Sequence, residues 1–146
     1  MVPVSISHSP DELQQEGPRL RILISAPQVE IHEGRSLGLE YPEPLSLSAL
    51  IDTGSSLTVV NPQVAQTCKL RQTGFVELSA AGSLGRYPQF AARISFLGTD
   101  LKAFEVIPVV GCPLPRQQIS CLIGRDLMRR WKFTYDGRTG EFTITD

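Results

Sequence analysis

Apolar residues recur at every second position along much of this chain, and the helical period of three to four is rare. In RLRILIS (Arg19–Ser25), Leu20, Ile22 and Ile24 alternate with other side chains, which predicts a half-buried strand. QVEIHE alternates in the same way around Val29 and Ile31 and predicts a second strand. GRSLGLEYPEP is a connection punctuated by Gly and Pro, and LSLSALID is a strand that runs straight into Asp52. After LTVV, Asn61 and Pro62 form an N-cap and first-turn pair that opens a short helix over 62–68. FVELSAAGSLGRYPQFAARISF predicts a long hairpin about Gly82, Ser83, Leu84 and Gly85.

Gly98 turns the chain into the strand LKAFEVIPVV. GCPLPRQQ predicts an exposed loop, because its prolines cannot continue a ladder. ISCLIG has the wholly apolar character of a buried strand, and RDLMRRW gives one or two turns of helix. KFTYDGRTGEFTITD alternates Phe133 and Tyr135 with Phe142 and Ile144 about a Gly-containing turn, a second hairpin. At the front, SPDELQQEG carries a capping box with Ser9 as N-cap, Pro10 at the first helical position and Glu12 three residues on. Residues 1–18 read as a lead-in and 19–146 as one domain. Eight or nine short strands with two short helices predict a mainly β fold.

Composition narrows the function classes. A chain of 146 residues with 41% apolar and 20% charged residues suits one globular domain that buries roughly two-thirds of its unfolded surface. Fourteen basic and fifteen acidic residues give a net charge of −1, so there is no electrostatic case for nucleic acid or an anionic membrane surface. Cys68, Cys112 and Cys121 are odd in number and lack Cys-x-x-Cys spacing, which points to free thiols in a reducing, cytoplasmic setting. His8 and His32 are the only histidines, poor material for a metal centre or a Ser-His-Asp site. No apolar run approaches the ~20 residues of a membrane span, and the start has no signal-peptide pattern. The same sequence is equally compatible with a piece of a longer, anchored protein.

The chemistry concentrates at ALIDTGSSLTVV. A carboxylate between two apolar runs is costly to bury without a partner, so Asp52 is either a turn residue or a group held for use. About 70 residues later stands CLIGRDL, with the Gly-tipped hairpin between. LIDTGSS and CLIGRDL, in this order and spacing, resemble the retropepsin-like aspartic peptidases, single-domain relatives of pepsin that include the retroviral proteases. The likeness spans roughly residues 19–144. It implies a closed β-barrel of the acid-protease type with one or two short helices, working as a homodimer without metal or cofactor on a peptide or protein substrate.

By that resemblance, Asp52 is the catalytic carboxylate, supplied once per chain, and a two-fold axis brings it against its copy. Two carboxylates so close share one proton and titrate as a pair, which predicts a bell-shaped profile with an optimum at roughly pH 4–6. Thr53 is expected to bond across the axis, Gly54 to let backbone N–H groups approach the carboxylate, and the Ser55 hydroxyl to donate to Asp52. Leu122, Ile123 and Gly124 are expected to pass beneath the active-site loop. Arg125 takes a support role. Viral members often carry an acidic residue where this chain has Ser56, so Arg125 is expected to find a Glu or Asp elsewhere. Gly82, Ser83, Leu84 and Gly85 resemble the tip of the flap that covers substrate.

The hairpin over 133–144, apolar at alternate positions beside a chain end, is expected in the dimer interface. Two functions follow from the resemblance: a homodimeric aspartic endopeptidase, or a catalytically silent dimer that binds peptides or assembles with partners. The intact Asp52, Thr53, Gly54 and Ser55 set favours the first.

Overall fold

In the computed structural model, which describes residues 3–80, 83–115 and 118–146, strands dominate. The elements in chain order are β1 (Val4–Ser7), α1 (Pro10–Glu16), β2 (Arg19–Ser25), α2 (Gln28–Ser36), β3 (Leu45–Ile51), β4 (Val59–Val60) and α3 (Pro62–Thr67). They continue with β5 (Arg71–Ala80), β6 (Ser83–Phe96), β7 (Phe104–Gly111), β8 (Cys121–Ile123), α4 (Arg125–Met128), β9 (Lys132–Asp136) and β10 (Glu141–Thr145).

The larger sheet has the order β2-β3-β8-β4-β7-β6-β5, and a further antiparallel pairing of β2 with β6 closes six strands into a barrel. Ile22 lies opposite Phe96 and Ile24 opposite Ile94 in that closing pair. The apolar residues spaced by two in β2 therefore face a common interior, where Ile22, Ile24 and Ile94 are fully buried. Closure removes the exposed edges of an open sheet, leaving β5 outside the ring as an edge strand. A second sheet, β1-β10-β9, adds Phe142 and Ile144 to the same core.

Four short helices stand among the described residues where two were expected from the interior of the sequence. The capping box forms α1: the Ser9 hydroxyl accepts from the Glu12 amide at 3.1 Å, and Leu13 is buried in the core. QVEIHE is a helix, not the strand its alternation suggested. Pro27 serves as N-cap, Glu30 and Arg35 sit at the ends that the helix dipole favours, and Gly34 lies under the Tyr41 ring. Val29 is 58% exposed, so the two-residue alternation there did not mark a buried face. The Arg71 guanidinium then meets Glu30 at 3.0 and 3.3 Å, tying α2 to β5.

The C-terminal hairpin forms as expected, with Phe142 opposite Tyr135 and Ile144 opposite Phe133. Two of its apolar side chains, Phe142 and Ile144, however, face the core of their own chain. Phe142 and Ile144 have no exposed surface, and β10 is flanked by β1 on one side and β9 on the other. The part of the expected dimer interface that rests on Phe142 and Ile144 is thereby corrected, since both are buried in their own core; on the same face Phe133 is half-buried and Tyr135 is 49% exposed.

Candidate active site

Strand β3 carries Leu47, Ala49 and Ile51 into the core and delivers Asp52 at its end. Parallel pairing with β8 sets Ile51 beside Ile123, and the Asp52 amide continues that ladder by donating to the Ile123 carbonyl at 2.9 Å. The chain then turns. The Ser55 amide donates to the Asp52 carbonyl at 3.1 Å, and the Gly54 amide donates to Asp52 Oδ1 at 2.9 Å. Asp52 is thus half-buried, with one carboxylate oxygen held by backbone. A Cβ on Gly54 would sit 3.1 Å from that oxygen, tighter than ordinary contact, so glycine keeps the approach open.

The end of β8 braces this loop from below. Gly124 lies so close to the Leu57 backbone that any Cβ there would run into its carbonyl. The Arg125 amide donates to the Ser55 carbonyl at 2.8 Å, and the Arg125 guanidinium donates to the Thr53 carbonyl at 2.6 Å. Thr58, fully buried, accepts from the Gly124 amide at 3.1 Å and donates through Oγ1 to Asp126 at 2.8 Å. The Asp126 carboxylate also accepts from the Thr58 and Leu127 amides, at 3.1 and 2.8 Å. Five of these hydrogen bonds lock the Asp52 loop to Gly124 and the start of α4.

Two expected contacts are corrected by this geometry. The Ser55 hydroxyl donates to the Leu57 carbonyl at 2.6 Å and not to the Asp52 carboxylate, because the loop's own path supplies it with a backbone acceptor. Arg125 takes the Thr53 carbonyl where a carboxylate was expected. Ser55→Ala should therefore leave the pH optimum of any Asp52-dependent activity unmoved; a shift toward neutrality would show that the hydroxyl does reach the carboxylate. Asp126→Ala should destabilise the chain by about 2–4 kcal/mol, since it strands the buried Thr58 hydroxyl and the Thr58 amide. Urea unfolding at neutral pH measures it, and a loss within ~0.5 kcal/mol would contradict the bracing role.

Asp52 opens into a groove of about 770 Å³. The loop contributes Gly54, Ser55 and Ser56, the hairpin arm Glu77, Leu78 and Ser79, and the opposite wall Pro113, Leu114 and Pro115. Val59, Cys112 and Leu122 complete an apolar floor. Tyr87 of β6 packs against the cluster of Val59, Val110 and Cys112, which sets the hairpin arm beside this wall. Burial first, and then the charge of Asp126, pushes the Cys121 thiol up to about 12, so it stays neutral. Burial raises the Cys68 thiol as well. Neither supplies a thiolate nucleophile. Among the described residues no cluster of three or more His, Cys, Asp or Glu could hold a metal.

No family model and no curated protein matches the chain. Solved structures do. A retropepsin-like aspartic protease from Rickettsia conorii aligns over 98% of this chain and 89% of its own, at 17% identity and a TM-score of 0.52. The fold is retropepsin-like. EIAV protease in complex with an inhibitor aligns over 77% of this chain and 86% of its own, at 17% identity and a TM-score of 0.49. The retroviral protease-like domain of Ddi1 from Leishmania major aligns over 80% of each chain, at 17% identity and a TM-score of 0.39.

Within this retropepsin-like chain, the sequence-derived set divides in three. Asp52, Gly54, Ser55 and Leu122 line the groove, while Ile123, Gly124 and Arg125 support the loop from below and Thr53, exposed in the loop, accepts from Arg125. At the hairpin tip, Leu84 is 71% exposed and Gly85 lies under the Tyr87 ring. Gly82 lies outside the described residues, and of Ser83 only the backbone, opposite Ala80, is described. Sequence reasoning missed Thr58 and the bracing role of Asp126. The available signal was a lone hydroxyl residue inside the apolar run LTVV, which needs a buried partner.

Proposed function

We propose that the chain is an aspartic endopeptidase that acts as a homodimer. The observation that carries this reading is the Asp52 carboxylate, fixed by backbone at the end of β3 and opening into an apolar-walled groove. One chain supplies one such carboxylate, and peptide hydrolysis by this chemistry needs two. A two-fold axis beside Asp52 sets it against its copy, where like charge keeps one proton on the pair. The ionised member takes a proton from a bound water, whose oxygen adds to the scissile carbonyl carbon. The protonated member supports the developing oxyanion, and a proton then passes to the leaving nitrogen as the C–N bond breaks.

In this scheme Thr53, exposed at the loop tip, meets its copy across the axis. Leu84 and Gly85, together with Gly82 and Ser83, close over the bound peptide as a flap. Digestion of a peptide library from acid to neutral pH tests the reading. Cleavage with an optimum at roughly pH 4–6 is expected. Peptide binding without cleavage at any pH would replace it with a silent peptide-binding dimer.

A further inference from the structure

Strand β4 pairs in parallel with β7, and the pairing outlasts both strands. The Val110 amide donates to the Thr58 carbonyl at 3.0 Å, and the Cys112 amide donates to the Val60 carbonyl at 3.0 Å. Two residues further on, the Leu114 amide falls where a third rung belongs. By register the acceptor would be the Pro62 carbonyl, but Pro62 is the first residue of α3, where the chain has left the extended path. The Asn61 side chain fills the gap: its Oδ1 accepts from the Leu114 amide at 2.8 Å.

Asn61 stands at the N-cap of α3, yet its side chain makes no capping bond. A residue type chosen for capping is here spent on a loop 53 positions away in sequence. Pro113 and Pro115, on either side of Leu114, lack amide hydrogens and cannot add a rung. Leu114 packs, half-buried, on the cluster of Val59, Val110 and Cys112 and forms the groove wall between those prolines.

We propose that Asn61 is a positioning residue for substrate selection: its side-chain carbonyl pins the wall at Pro113, Leu114 and Pro115, and so sets how tightly the groove grips an apolar peptide side chain. The inference rests on the groove binding peptide, as proposed above. Asn61 itself touches neither Asp52 nor the groove's contents. Its loss should loosen binding and leave the chemical step nearly intact, a split between KM and kcat that a general loss of fold would not give.

The test uses fluorogenic peptides that differ only in Ala, Leu or Phe beside the cleaved bond. Asn61→Leu keeps the volume and removes the acceptor; Asn61→Asp keeps an acceptor oxygen in place. For the Leu and Phe peptides, Asn61→Leu should raise KM about tenfold with kcat within about threefold of the parent, and Asn61→Asp should track the parent. Should Asn61→Leu not fold, Asn61→Ala is read in the same way. The same peptides are titrated by fluorescence anisotropy in the Asp52→Asn background, where no cleavage intervenes. There the loss of the acceptor should weaken binding about tenfold. This arm separates the two claims: a parent that binds but never cuts defeats the peptidase reading and leaves the role of Asn61 to be decided by affinity. Equal behaviour of the Leu and Asp variants, a fall in kcat with KM unmoved, or no binding of any peptide would overturn the proposal.

Discussion

Asp52→Asn is expected to reduce peptide cleavage by at least about a thousandfold while fold and stability persist, because an amide can serve neither as general base nor as general acid. The structure explains why the fold should survive. Among the described residues, the one side-chain bond of Asp52 is accepted by Oδ1 from the Gly54 amide at 2.9 Å, and an asparagine Oδ1 accepts it equally well. The Asp52 amide and carbonyl are held by Ile123 and Ser55, contacts that do not depend on the side chain. Cleavage rates and circular dichroism on the purified variant check both halves. Activity within about tenfold of the parent would remove Asp52 from the chemistry, whatever else the groove does.

Gly124→Ala is expected to produce the second large effect, and by a different route. The added methyl group would meet the Leu57 carbonyl carbon and oxygen, which are backbone atoms and cannot swing aside as a flexible side chain would. Residues 55–58 would have to move, and with them the bonds from Gly124 to Thr58 and from Arg125 to Ser55. The cost should be roughly 3 kcal/mol. Because the same loop aims Asp52, cleavage should fall about a hundredfold or more in whatever protein remains folded. Gly137→Ala is the control, since a Cβ there meets only the Tyr135 ring at 3.3 Å. Urea midpoints and cleavage rates for the two variants should diverge widely; equal, mild effects would mean that the loop is not wedged against Gly124.

The parts of the fold that could be read from sequence were those fixed by local chemistry. The Ser9 capping box, the alternation in Arg19–Ser25 and the Gly-punctuated hairpins each rest on contacts within a few residues or on a clear period. Gly124 was legible only through the resemblance, which sets an apolar-apolar-Gly segment beneath the active-site loop; its close approach to the Leu57 backbone comes from the structure. The failures share a cause as well. Val29 and Ile31 are two apolar residues, too few to separate a period of two from one of three to four, and the Pro27 cap decided the outcome. A Ser55 hydroxyl three positions after Asp52 can serve either that carboxylate or a neighbouring backbone carbonyl, and only the loop's path selects the Leu57 carbonyl. Asn61 looked like a cap because the residue that claims its side chain, Leu114, is 53 positions distant. The hairpin at the C-terminus had its apolar positions correctly placed, but alternation cannot say whether a second copy or the chain's own core covers them.

Specific activity measured against protein concentration, alongside sedimentation velocity over the same range, tests the central claim most directly. A site that needs Asp52 from two chains should lose specific activity on dilution in step with the appearance of monomer, and recover it at a plateau where only dimer sediments. Constant specific activity down to concentrations at which the monomer alone sediments would contradict it, since a single chain would then be cutting peptide with one Asp52.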